Sequence, residues 1–86
     1  MRIPIIDTVA TAKRIRELKE LNGYSARGIQ KACCLESVQA VYNWFYGKKQ
    51  PSIDNLVVLA YIFKVPIDSI LVVNYIDTDG VEDYAG

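Results

Sequence analysis

Two carboxamide side chains, Gln39 and Asn43, stand four residues apart in a segment that the sequence predicts to be helical. Residues spaced i, i+4 lie on the same face of a helix, so both amides face the same surroundings. An amide presents a donor and an acceptor side by side, which matches the N6 and N7 atoms of adenine in the major groove of DNA. Solvated surface amides without a partner are the competing interpretation of this pair.

The other face of the same segment is apolar and is predicted to be core. Val41 and Trp44 are one helical turn apart, and Phe45 extends their stripe. Gly47 ends the segment, so a helix is expected over 38–46. This helix would therefore carry a buried apolar side and an exposed polar side.

Apolar periodicity and capping residues predict four more helices around this one. The expected fold is all-α, a compact five-helix domain over residues 1–72 with a short acidic tail, 73–86, that is flexible or forms an edge strand. The start of the chain is expected to be extended because Pro4 disfavours helix before it. The other predicted helices are about 8–21, 26–33, 53–63 and 68–72, with caps at Asp7 or Thr8, Ser25, Ser37 (for 38–46) and Ser52.

Composition narrows the classes of function. The chain of 86 residues has room for one domain, without a secretory signal or a membrane-spanning run, which favours a cytoplasmic location. It has no histidine, and its two cysteines, Cys33 and Cys34, are adjacent and expected to be reduced. We therefore expect no metal site, no cofactor, no small-molecule ligand and no enzymatic activity.

Charge is distributed unevenly along the chain. Residues 1–64 hold ten basic and five acidic side chains, a net +5, whereas residues 65–86 hold five acidic and no basic side chains, a net −5. A basic body with an acidic tail favours an anionic partner for the body.

Three stretches carry a resemblance to a known family: RIRELKELNGYS (14–25), VYNWFYGKKQPS (41–52) and NLVVLAYIFKVPIDSILV (55–72). Over residues 7–72 the chain resembles the phage repressor/Cro-type (XRE-like) helix-turn-helix transcriptional regulators of bacteria. The resemblance implies that helices 26–33 and 38–46 form the DNA-binding motif. It also implies a repressor-like regulator that binds double-stranded DNA as a homodimer on two half-sites.

The chain departs from the family pattern at several positions. Cys34 and Lys64 stand where glycine is frequent, and the turn contains one extra residue, Glu36. Because of the extra residue, the resemblance does not determine which groove contacts the following helix makes.

The resemblance also suggests a role for individual side chains. Ser37 has a competing role as a helix cap, and the tyrosines and lysines have a competing interpretation as plain surface residues. Arg14 and Lys19 on the first helix can extend the DNA footprint. The expected base-reading residues are Ser37, Val38, Gln39 and Asn43, the expected phosphate contacts are Arg27, Tyr42, Tyr46, Lys48 and Lys49, and the expected core residues are Ile29, Val41, Trp44 and Leu56.

The sequence is also compatible with a second class of function. A protein-interaction module, such as an antitoxin or an adaptor, can keep this fold and use the acidic tail 73–86 to bind a protein partner.

Overall fold

The computed structural model describes residues 1–78 and consists of four α-helices and a small two-stranded antiparallel sheet. A single 3₁₀ turn follows the last helix. The elements in chain order are strand β1 (Arg2–Ile6), helices α1 (Thr8–Leu21), α2 (Ala26–Ala32), α3 (Gln39–Phe45) and α4 (Ile53–Phe63), the 3₁₀ turn Ile67–Ser69 and strand β2 (Val73–Asp77).

The structure is mostly helical, as the expected all-α class implies, but the described residues form four α-helices and a two-stranded sheet, so the expected number of five helices is corrected. The predicted fifth helix, 68–72, is only a 3₁₀ turn, because Pro66 and β2 leave too few residues between them to nucleate an α-helix. The first five residues of the predicted tail form β2, which pairs with β1 in the register Arg2 to Asp77. The rest of the tail, 79–86, lies outside the described residues.

Side-chain caps begin three of the four helices. Asp7, Ser25 and Ser52 each accept the backbone N–H of the residue three positions later, at 2.9 to 3.2 Å. The expected cap at Ser37 is wrong, because α3 begins after Val38, whose own backbone is already helical and whose side chain makes no capping bond. The hydroxyl of Ser37 is therefore not needed for starting the helix.

The Asp7 cap also ties the first helix to the sheet. Its carboxylate accepts the Ala10 N–H and the side-chain amide of Asn74, and these bonds lower the pKa of the Asp7 carboxyl. A carboxyl with a lowered pKa in the folded state stabilises the fold above its ordinary pKa. This contribution is lost as the pH falls through the folded-state value.

All four helices end in the same way, with one residue in the left-handed conformation. In each case the next residue donates its N–H to a carbonyl five positions earlier, as Leu35 does to Gln30 at 3.0 Å and Val65 to Ala60 at 3.1 Å. Two of the four left-handed positions hold glycine and two hold residues with a Cβ: Gly23, Cys34, Gly47 and Lys64.

Lys64→Gly is expected to raise the free energy of unfolding by about 0.5–1 kcal/mol. At φ 59° the Cβ of Lys64 is strained, and relief of that strain outweighs the larger entropy that glycine has in the unfolded chain. Urea denaturation measures the change. Lys64→Ala keeps the Cβ and serves as the control, so an equal gain in that variant would mean that backbone strain is not the cause.

The core lies between the helices and includes the residues that the sequence assigned to it. Ile29 and Val41 are fully buried, Trp44 is 5% exposed and Leu56 9% exposed. Leu59 and Phe63 of α4 and Ile70 after the 3₁₀ turn belong to the same cluster. The core therefore fixes which side of α3 faces inward.

Polar contacts attach the sheet and the 3₁₀ turn to α1. The buried hydroxyl of Thr11 accepts the Val72 N–H at 2.9 Å, just before β2 begins. Arg14 Nε donates to the carbonyl of Ser69 at 2.9 Å. The segment between the 3₁₀ turn and β2 is thus held on the first helix.

Candidate nucleic-acid interface

Helices α2 and α3 pack against each other through a shared part of the core. Ile29 of α2 and Val41, Trp44 and Phe45 of α3 are all buried. The link between the helices, 33–38, includes the left-handed Cys34, and the Gln30 side chain donates to the carbonyl of Leu35 at 3.3 Å. The two helices and their link therefore form one packed unit, with Gln39 and Tyr42 exposed on the outer side of α3.

Gln39 and Asn43 contact each other on this outer side. Gln39 Nε2 donates to Asn43 Oδ1 at 3.2 Å. Gln39 is exposed at the start of α3, and Asn43 is half-buried one turn later. The bond uses one N–H of the exposed Gln39 amide and leaves its oxygen and its second N–H available for other partners.

The other two predicted base-reading residues differ in exposure. Ser37 is exposed just before α3 begins. Val38 is half-buried and packs against the core, so its first role is structural.

Two tyrosines follow the amide positions in the same segment, Tyr42 within α3 and Tyr46 directly after it. Tyr42 and Tyr46 stack with nearly parallel rings, 6.3 Å between centroids, and Tyr42 meets Phe45 edge to face. The exposed fractions are 38% for Tyr42 and 66% for Tyr46. Their positions are thus supported by aromatic contacts while part of each ring remains accessible.

A cleft of about 420 Å³ opens between α1, the start of α2 and α3. Two cations of α1 line it. Arg16 donates to the carbonyl of Phe45, and Lys19 Nζ lies 5.9 Å from the centroid of the Phe45 ring and 2.8 Å from Glu20 Oε1. The full lining is Arg16, Lys19, Glu20, Ser25, Ala26, Tyr42, Phe45 and Tyr46.

The structure changes the assignment of the cations on α1. Arg14, which the sequence suggested as an extension of the DNA footprint, is half-buried and donates a hydrogen bond to the carbonyl of Ser69. It therefore stabilises the fold. Arg16, which sequence reasoning missed, lines the cleft beside the tyrosines. Its position depends on a carbonyl of α3, and sequence alone gives no signal for that contact.

The remaining predicted phosphate contacts are exposed. Arg27 lies in the first turn of α2. Lys48 and Lys49 follow α3, and their backbone N–H groups both donate to the carbonyl of Asn43, at 2.9 and 3.3 Å. These two bonds fix the start of the lysine loop relative to the amide pair.

A family model described as Helix-turn-helix matches residues 15–70 of this sequence. This range covers α2, α3 and α4, most of α1 and the 3₁₀ turn. The chain belongs to the helix-turn-helix family. This family is of the XRE type, a type of DNA-binding regulator of transcription.

Among solved structures, this helix-turn-helix protein is similar to the restriction-modification controller protein C.AhdI from Aeromonas hydrophila. The two share 23% sequence identity with a TM-score of 0.66, over 74% of this chain and 96% of that chain. The likeness establishes the common fold. A comparison with curated proteins gave no match.

Two further observations concern the part of the chain that the structure describes. Within residues 1–78 there is no helix long and apolar enough to cross a membrane. The same residues contain no group of three or more potential metal ligands.

Proposed function

We propose that this helix-turn-helix protein is a repressor-like transcriptional regulator that reads double-stranded DNA in the major groove with α3. The observation that carries the proposal is the hydrogen-bonded pair of Gln39 and Asn43 on the exposed side of a helix whose other side is buried. A major groove about 12 Å wide admits an α-helix, and only the exposed side of that helix can reach base edges.

The hydrogen bond between the two amides gives Gln39 and Asn43 different roles in base reading. Gln39 uses one of its two N–H donors on Asn43 and keeps its oxygen and the other N–H. These atoms match adenine, whose N6 donates and whose N7 accepts. Gln39 is therefore the residue that contacts the base. Asn43 positions the Gln39 amide, and the N–H donors of Asn43 face the neighbouring base pair or a phosphate.

The surroundings of the amide pair supply groups for the DNA backbone. Tyr42 and Tyr46 offer phenolic hydroxyls, and Arg16 and Lys19 place positive charge in the cleft beside them. Such contacts fix the position and orientation of the protein but carry no sequence information. Arg27, Lys48 and Lys49 extend the same contact, and Ser37 adds a hydroxyl at the start of α3.

The proposed working form is a homodimer on DNA in the bacterial cytoplasm. Proteins with this motif bind two half-sites about one helical turn apart, so each copy places its α3 in a successive stretch of the major groove. The net charge of the full chain is zero, which keeps purely electrostatic binding weak and leaves more of the affinity to specific contacts.

Selection of bound duplexes from a random DNA pool tests the proposal. The purified protein is used at about 150 mM salt, where purely electrostatic binding is weak. We expect an enriched palindromic motif with adenine in each half-site. A folded protein that enriches no motif would contradict the proposal.

Lys48→Ala combined with Lys49→Ala is expected to weaken binding to all DNA sequences alike. For each phosphate that the variant no longer neutralises, the slope of log K against log salt concentration should become shallower by about 0.9. Titrations at several salt concentrations measure the slope for the selected site and for a scrambled one. Lys13→Ala is the matched control, because Lys13 is exposed on α1 outside the cleft. An unchanged slope in the double variant would exclude the lysine loop from the interface.

A further inference from the structure

The sheet formed by β1 and β2 exposes several large apolar side chains. Every residue of β2 is exposed, and so are four of the five residues of β1. A two-stranded sheet is at best marginally stable by itself in water, and exposed apolar groups of this kind mark interaction surfaces. The large exposed apolar residues of the sheet are Ile5, Ile6, Val73, Tyr75 and Ile76.

The hydrogen bonds at both ends of the sheet define which backbone groups point outward. Thr78 N–H donates to the carbonyl of Met1 at 3.0 Å, and Asp7 N–H donates to that of Val72 at 2.8 Å. Hydrogen-bonded and non-hydrogen-bonded pairs alternate in an antiparallel sheet. In the observed register, the pair Pro4 and Tyr75 is therefore a non-hydrogen-bonded one, and the backbone groups of both residues face the outer edges.

The two outer edges differ in their ability to accept another strand. On the β1 edge, Pro4 has no N–H, and a proline in this position blocks pairing. On the β2 edge, Val73, Tyr75 and Asp77 each present both an N–H and a carbonyl. Within the described chain, β2 is therefore the strand that has both an N–H and a carbonyl at every outward-facing position of its outer edge.

We propose that the outer edge of β2 pairs with the same edge of a second copy of this chain, antiparallel about a twofold axis at Tyr75. This inference rests on the homodimer proposed above and names its surface. The resulting sheet has four strands, with β1 at both outer edges, where Pro4 prevents further addition. In this register, Tyr75 of one copy pairs with Tyr75 of the other, and Val73 of each copy pairs with Asp77 of the other. All five residues of both β2 strands are then paired.

Charge and size favour a second copy as the occupant of this edge. Arg2 Nε lies 3.8 Å from Asp77 Oδ1, so the sheet is electrically neutral and two copies do not repel. The twofold register places the two Asp77 side chains at opposite ends of the new strand pair, facing valines. Two five-residue strands bury less than the roughly 1,200–2,000 Å² of a stable interface, so the free dimer is weak and the two half-sites of the DNA strengthen it.

A second exposed apolar surface provides the competing location for the dimer. Ile53, Val57 and Tyr61 follow each other at i, i+4 spacing on α4, and all three are exposed. They form a stripe without any strand edge, and nothing else in the structure indicates what would cover it. Val57 is therefore the matched control position.

Sedimentation equilibrium of the free protein over about 10 μM to 1 mM tests the proposal without DNA, in the range expected of a small interface. As the protein concentration increases, the average mass of the wild-type protein should rise from the monomer mass toward twice that value. Tyr75→Pro, which removes one outward N–H and none of the bonds to β1, should remain monomeric, while Val57→Glu should behave like the wild type. A monomeric wild type, or a dimer lost in Val57→Glu and kept in Tyr75→Pro, would overturn the proposal.

Disulfide trapping provides a second readout that does not depend on how proline is tolerated in β2. Cα atoms of a hydrogen-bonded antiparallel pair are about 5.5 Å apart, within the range of a disulfide. In a Cys34→Gly background, which removes the exposed native thiol, Tyr75→Cys should form a linked dimer on mild oxidation at least about tenfold faster than Val57→Cys. Equal rates, or a faster Val57→Cys, would refute pairing at Tyr75. Neither result bears on whether a single copy reads a DNA half-site.

Discussion

Gln39→Ala is expected to lower the affinity for the selected DNA site by roughly 5- to 150-fold, which corresponds to about 1–3 kcal/mol. The side chain is exposed, so its removal should leave the stability of the fold nearly unchanged. The loss should be concentrated on sites that contain the preferred adenine, and binding to unrelated DNA should change little. Titrations of preferred and substituted duplexes at one salt concentration measure both effects.

Asn43→Ala extends this prediction to the partner of Gln39. Because Asn43 holds the Gln39 amide through the 3.2 Å hydrogen bond, the two substitutions should not be additive. The double variant should bind nearly as well as the weaker single variant, with a coupling energy of about 0.5–3 kcal/mol. Strict additivity would mean that the two amides contact DNA independently or not at all.

Trp44→Ala is expected to lower the free energy of unfolding by about 3–5 kcal/mol. Trp44 is 5% exposed, and its ring lies in the cluster that joins α3 to the rest of the core. Native proteins have a total stability on the order of 5–15 kcal/mol, and a domain this small lies near the lower end, so the substitution should remove a large part of the stability. Urea denaturation followed by circular dichroism measures the loss.

Tyr46→Ala is the matched control for this change. Tyr46 is also an aromatic residue at the end of α3, but it is 66% exposed, so its removal should cost less than about 1 kcal/mol of stability. A Trp44→Ala variant that keeps its stability and loses only DNA affinity would place Trp44 in the interface and not in the core.

Local sequence signals predicted the four α-helices well, but they also predicted a fifth helix where the chain forms a 3₁₀ turn. Helix α4 begins at Ile53 and ends at Phe63 as expected, because the Ser52 cap and the apolar repeat lie within one short segment. The start of α3 was placed wrongly by one residue, since Ser37 is a good cap by type but the chain enters the helix through Val38.

Contacts between distant parts of the chain were the ones that sequence could not predict. Strand β1 pairs with β2 across some seventy residues, and neither strand shows a strong alternating pattern. For the same reason the roles of Arg14 and Arg16 could not be separated, because their acceptors are the carbonyls of Ser69 and Phe45 on other elements. Local patterns identify a helix face, whereas tertiary contacts decide which side chains remain available on it.

7-Deazaadenine tests most directly whether Gln39 reads adenine through the N7 and N6 atoms. This analogue keeps the base pair and the N6 amino group but lacks the N7 acceptor. When it replaces the preferred adenine of the selected site, the wild-type protein should bind several-fold more weakly, by about 1 kcal/mol, whereas Gln39→Ala should bind both duplexes equally. Equal affinity of the wild-type protein for the two duplexes would contradict the claim.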